Sequence, residues 1–156
     1  MSTSTAPIPD EMKRQGRPVD PHFDADEALY IRFQHLSGQY IEAADLRCPD
    51  QSVNRSRYSK AEWVLLPIYA AWGIASLKVQ DIPLQVMGGG CAQSFFKVEH
   101  DPQEDNYAHS EIRAFGDSTH LHRQSKTSHT VKLQFRTILS QSAIVMRQPS
   151  DNKTVD

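Results

Sequence analysis

The sequence predicts an α+β protein: a small mixed or antiparallel sheet with a short capped helix at about 59–66 and a C-terminal amphipathic helix at about 130–146. Three observations carry this. Leu29, Ile31 and Phe33 alternate with Tyr30, Arg32 and Gln34, the two-residue period of a half-buried strand. Val131, Phe135, Ile138, Ser142 and Val145 recur at helical spacing, with Lys132, Gln134 and Arg136 between them. Ser59-Lys60-Ala61-Glu62 has the spacing of a capping box, ahead of an apolar run from Trp63 to Leu66 that Pro67 limits.

Taken in order, the elements read as follows. Residues 1–25 are rich in Ser, Thr, Pro and charge with almost nothing to bury, which predicts a disordered lead-in; residues 148–156 predict a disordered tail. Residues 26–147 then form a single domain. The opening strand spans about 28–36. A second extended stretch begins near Ile41 and closes at Cys48-Pro49-Asp50, followed by a polar, turn-prone run from Ser52 to Tyr58. Trp72–Val79 reads as a strand covered on both sides, and Asp81-Ile82-Pro83 as a short helix start with Asp81 at its N-cap. Gly88-Gly89-Gly90 is a flexible break. Phe95–His100 and His109–Phe115 are strands separated by an Asp101-Pro102 turn.

The 156 residues suit one domain. The 17 Lys and Arg against 19 Asp and Glu leave a net charge of −2, which argues against a broad nucleic-acid surface. No apolar run approaches the ~20 residues that span a bilayer, so no membrane partner is expected. The N-terminus has no apolar stretch of the kind a secretion signal needs, and Cys48 and Cys91 form no C-x-x-C pair; the expected location is cytoplasmic.

Chemistry concentrates between His100 and Glu111, where two histidines and four carboxylates fall within twelve residues. On a strand, His109 and Glu111 point to the same side, able to share a proton or hold a metal. The Asp101-Pro102 turn brings His100 and Asp101 back towards them. As a metal motif, H-x-E matches no standard zinc signature. Asn54-Arg55, ahead of the capped helix, offers a guanidinium fork able to grip a phosphate. Its structural alternative is a buried Arg55 paired with Glu111 or Asp105. Arg32 stands alone in its strand, and the order Arg32, Ser52 or Ser59, Glu111 is that of ADP-ribosyltransferase-like toxins. His120, His122 and His129 read as part of a polar loop, and no cofactor fingerprint is present.

Leu29-Tyr30-Ile31-Arg32, Ser52-Val53-Asn54-Arg55 and His100-Asp101-Pro102 through Asn106, His109 and Glu111 together resemble a group of small uncharacterised bacterial proteins sharing S-V-N-R and H-D-P…N-x-x-H-x-E segments. The resemblance covers about residues 27–116. It implies a shared fold and a shared site, and carries no reaction with it.

Two functional readings stand side by side. One is a cytoplasmic accessory or binding module engaging a phosphate-bearing ligand or a protein encoded nearby, through a polar site combining Asn54 and Arg55 with His109 and Glu111. The other is a small hydrolase or transferase, metal-dependent or ADP-ribosyltransferase-like, with His109 as general base and Glu111 orienting it.

Overall fold

The computed structural model describes residues 7–90 and 93–150. Strands β1 (Ala28–Phe33), β4 (Asp50–Arg55), β5 (Gly73–Lys78), β6 (Gln85–Met87), β7 (Gln93–His100), β8 (His109–Phe115) and β9 (Ile144–Arg147) form one antiparallel sheet in the order β6-β7-β8-β4-β1-β5-β9. A two-stranded ladder of β2 (Leu36–Ser37) and β3 (Tyr40–Ile41) stands apart, and α1 spans His129–Ser142.

This corrects the α+β expectation. The protein is a curled, sheet-dominated structure with one C-terminal helix and a few 3-10 turns. The capped helix at 59–66 is a five-residue 3-10 stretch, Ala61–Leu65, whose N-cap is Lys60 and receives no side-chain bond. Ser59 Oγ instead donates to Lys60 O at 3.2 Å. β-branched Val64 and Trp63 are indifferent helix formers, the start has no side-chain cap, and Pro67 supplies no amide to extend the turn. Asp81 ends a 3-10 turn, Val79–Asp81, rather than starting a helix.

The C-terminal helix also stops earlier than its periodicity predicts. Ser128 Oγ caps it by accepting from Val131 N at 3.2 Å, and Ala143 turns extended. The residues from Ile144 onward then add to the free edge of β5, with Val145 opposite Ala75. An open edge with unpaired amides outcompetes another helical turn for a β-branched Ile-Val pair.

The largest difference is β4. The first part of the polar run expected as a turn, Ser52 to Arg55, belongs to the strand joining β8 to β1, and only 56–58 turn. β8 pairs with β4 from Asp50 to Asn54 and β1 at Asn54 and Arg55, so it holds as a strand with Val53 as its one apolar side chain.

One face of the sheet carries Leu29, Ile31, Phe33, Val53, Phe96, Val98, Ile112 and Ala114, all buried in one cluster with Val131, Phe135 and Leu139 of α1. Phe96 and Phe135 stack with centroids 4.3 Å apart. Full burial of each such side chain is worth roughly 1.5–3 kcal/mol, which holds the helix to the sheet. Residues 1–6 and 151–156 of the expected disordered ends, and Cys91, lie outside the described residues. Residues 7–27 run along the sheet, with Met12 buried and Arg14 N donating to Glu104 O at 2.8 Å. No helix of the described residues is long and apolar enough to cross a membrane.

Candidate functional site

The β4–β8 register sorts the candidate residues. Asn54 lies opposite His109, Ser52 opposite Glu111 and Asp50 opposite Arg113. Side chains alternate along a strand, so these six share the face away from the core, and Arg55 belongs to the other. The expected site uniting Arg55 with His109 and Glu111 is therefore not formed: the sheet separates them. Asn54 stays with His109 and accepts a 2.6 Å bond from Asn106 Nδ2 through its Oδ1. His100 falls on the Arg55 side, paired with Ser110.

Arg55 is fully buried. Its Nε and Nη2 donate to the two carboxylate oxygens of Glu27 at 2.8 and 2.9 Å, and Nη1 and Nη2 donate to Asp20 O and His22 O at 2.8 and 2.5 Å. Phe23 covers the guanidinium at 3.8 Å. The expected partners Glu111 and Asp105 play no part. His100 completes this cluster: its Nδ1 accepts from Asp20 N at 2.8 Å, so its Nε2 carries the proton given to Tyr107 O at 2.6 Å. Burial lowers the His100 pKa, and the nearby Arg55 charge adds to that, against the bond to Tyr107. Tyr58 donates to Asp20 Oδ2 at 2.6 Å, the main reason the Asp20 carboxyl sits below its usual range. These bonds strap residues 20–27 to the sheet, which makes Arg55 and His100 scaffold.

On the opposite face, His109 Nδ1 lies 2.9 Å from Asp101 O. A carbonyl only accepts, so Nδ1 bears the proton and Nε2 its lone pair. Nε2 is 3.4 Å from Ser52 Oγ and 3.8 Å from Glu111 Oε2. Ligand atoms of Asp101, His109 and Glu111 lie within 4.8 Å of one another, a spacing that suits a divalent cation. The Arg113 guanidinium already bonds Asp101 and Glu111, each at 3.1 Å, and Glu99 at 2.9 Å. Burial alone would lower the Arg113 pKa, and the three carboxylates outweigh it and raise it. The two carboxylates of the trio are thus already neutralised by Arg113, and the trio is organised as an ion-pair network.

A feature the sequence did not disclose lies beside it. The β1–β4 register comprises Leu29↔Arg55 and Tyr30↔Asn54 and then stops, although both strands continue. The parted strands open a cavity of about 500 Å³ whose walls include Arg32, Arg47, Gln51, Ser52, Asn54, Tyr69, Trp72 and Arg136. Arg32 donates to Val64 O at 3.1 Å and lies 4.0 Å over the Tyr69 ring. Burial pulls its pKa below the usual value. Arg136 Nε is buried without a hydrogen-bond partner. Among the described residues the arginine ion pairs belong to Arg55, Arg57, Arg113 and Arg123. The three arginines of this cavity have none. Its one lining carboxylate, Asp45, is bonded by the backbone and ring of His35.

A second cavity of about 300 Å³ shares Arg32, Ser52 and Tyr69 with the first and adds Trp63, Asp105, Asn106 and His109. The residues of the transferase-like order, Arg32, Ser52 and Glu111, thus share one face, with Glu111 held by Arg113. Ser59 bonds its own turn. His120 packs edge-on against Phe115 and His122 turns to Asp117, so that pair does not converge.

Sequence reasoning missed Arg47 and Arg136, which come from a loop and a helix 89 positions apart. The available signal was Arg136 directly after Phe135, at the margin of the apolar stripe. No family model, curated protein or solved structure matches the chain.

Proposed function

We propose that this protein is a binding module for a phosphate-bearing ligand, seated in the cleft between β1 and β4. The observation that carries the reading is Arg136 Nε, a buried donor with no partner in the wall of a cavity that also holds Arg32 and Arg47. A buried unsatisfied donor costs about 1–3 kcal/mol. Arg32, held by Val64 O and the Tyr69 ring, and the exposed Arg47 add positive charge that no carboxylate pairs among the described residues, so an arriving anion meets three guanidiniums free of ion pairs. Arg presents two parallel N–H groups that match a phosphate's oxygens, and Tyr69 and Trp72 supply flat surfaces for an attached ring. A free phosphorylated metabolite and a phosphorylated side chain on a partner protein encoded nearby would present the same chemistry. A cytoplasmic setting goes with this reading, in keeping with Cys48 as a buried free thiol.

The test is calorimetric titration with inorganic pyrophosphate. Charge-assisted hydrogen bonds are worth roughly 1.5–3 kcal/mol, so Arg32→Gln and Arg136→Gln are each expected to weaken binding about tenfold or more. Absence of binding at millimolar pyrophosphate, or unchanged affinity in both variants, overturns the reading.

A further inference from the structure

We propose that Ser52 and His109 form a nucleophile–base pair that cleaves a carboxylic ester whose phosphate occupies the adjoining cleft. The substrate class rests on the cleft reading above; the pair itself does not. Its geometry has the parts such chemistry needs. The Asp101 carbonyl fixes the His109 ring and its tautomer through the 2.9 Å bond to Nδ1. The lone pair on Nε2 is then aimed at Ser52 Oγ, 3.4 Å away, a separation of the looser kind found before a substrate aligns the hydroxyl. Glu111 Oε2, 3.8 Å from Nε2, stabilises the imidazolium that forms. Ser52 is half-buried at the boundary of both cavities, and Arg32, which lines both, is the cation available to a developing oxyanion.

Charge selects the reacting centre. Around His109 stand Glu111 and Asp101, both paired with Arg113, and Asp105 lines the same cavity with Arg32, whereas Arg47 and Arg136 line the neighbouring cleft alone. A neutral carbonyl therefore belongs beside Ser52, and the anionic group beside Arg136. In the first step Ser52 Oγ bonds to the carbonyl carbon while its proton passes to His109 Nε2. The carbon–oxygen bond to the leaving alcohol breaks, and that oxygen takes the proton from His109. Water repeats the sequence on the acyl-serine, releasing the acid and restoring Ser52.

An uncharged alkyl fluorophosphonate tests the pair in the full chain without any need of the cleft. Attack forms the Ser52 Oγ–phosphorus bond, fluoride departs, and His109 accepts the hydroxyl proton. Mass spectrometry is expected to find one adduct, mapped to Ser52, absent in Ser52→Ala and formed at least 100-fold more slowly in His109→Gln. No adduct, an adduct on another residue, or labelling of His109→Gln at the wild-type rate overturns the pair. If His109→Gln does not fold, as judged by circular dichroism, Glu111→Gln replaces it: labelling slowed at least fivefold supports the pair, and an unchanged rate overturns it. Failed labelling with intact pyrophosphate binding removes the pair alone; labelling of Ser52 without pyrophosphate binding removes only the phosphate-bearing substrate.

Discussion

Asn54 and His109 sit directly opposite each other across the β4–β8 ladder, and the next residue of β4, Arg55, is thereby turned to the far side of the sheet. One step along the chain separates a residue of the polar face from the best-satisfied charge in the core. The two adjacent positions should therefore respond to substitution in different ways.

Arg55→Met leaves Glu27 buried without its cation. Breaking one partner of a buried pair costs roughly 3–5 kcal/mol. Urea denaturation is expected to show that loss, with Arg55→Met/Glu27→Leu recovering part of it. A loss below ~1 kcal/mol would show that water, rather than Arg55, satisfies Glu27.

His100 predicts a pH dependence. Its folded pKa is depressed, mainly by burial, while the unfolded value is about 6.5. Below that value the unfolded chain binds the extra proton more readily, so stability falls as pH drops from about 6.5 towards the folded value, and is flat above it. Protonation also removes the acceptor of the Asp20 N–H bond. Thermal unfolding of wild type between pH 5 and 7.5 should show this slope, and His100→Gln should flatten it. The lowered Asp20 carboxyl acts in a separate window: its contribution is present above 3.8 and is lost below that as pH falls through its folded value.

Arg136→Met removes a buried donor that no protein group satisfies. In the absence of ligand this variant should be more stable than wild type by roughly 1 kcal/mol, the scale of an unsatisfied polar group. Chemical denaturation checks the sign. A clear destabilisation would mean that Arg136 already has a partner, such as an ordered water.

Gly73→Ala tests the packing of β5. A Cβ built there would lie 2.6 Å from Phe33 Cζ and 2.7 Å from Arg147 O, one a buried ring and the other backbone of β9. Overpacking of this kind costs about 1–3 kcal/mol. A lowered melting temperature is expected, and a neutral outcome would show that β9 can shift away from β5 at little cost.

The parts of the fold that were legible in the sequence are those whose burial is one-sided. Leu29, Ile31 and Phe33 alternate because only one face of β1 meets the core, and Val131 and Phe135 mark the single helix stripe for the same reason. Strand β4 was illegible because its core face carries Gln51 and Arg55, satisfied by bonds within the loop before it and by Glu27, 28 positions away. Such long-range compensation leaves no local pattern. Likewise His109 and Glu111 could be placed on one face from their spacing alone, whereas the cleft depends on where two strands stop pairing. Nothing in a run of residues marks that point.

The seam between β1 and β4 divides the sheet into two panels, β6-β7-β8-β4 and β1-β5-β9, fastened within the sheet at two residue pairs beside the anchored Arg55. Arg32 belongs to one panel and Ser52 to the other. A molecule lodged between them acts as a keystone. Its contacts resist any angular spreading of the panels about that fastening, so occupancy of the cleft sets how stiff the sheet is across its width.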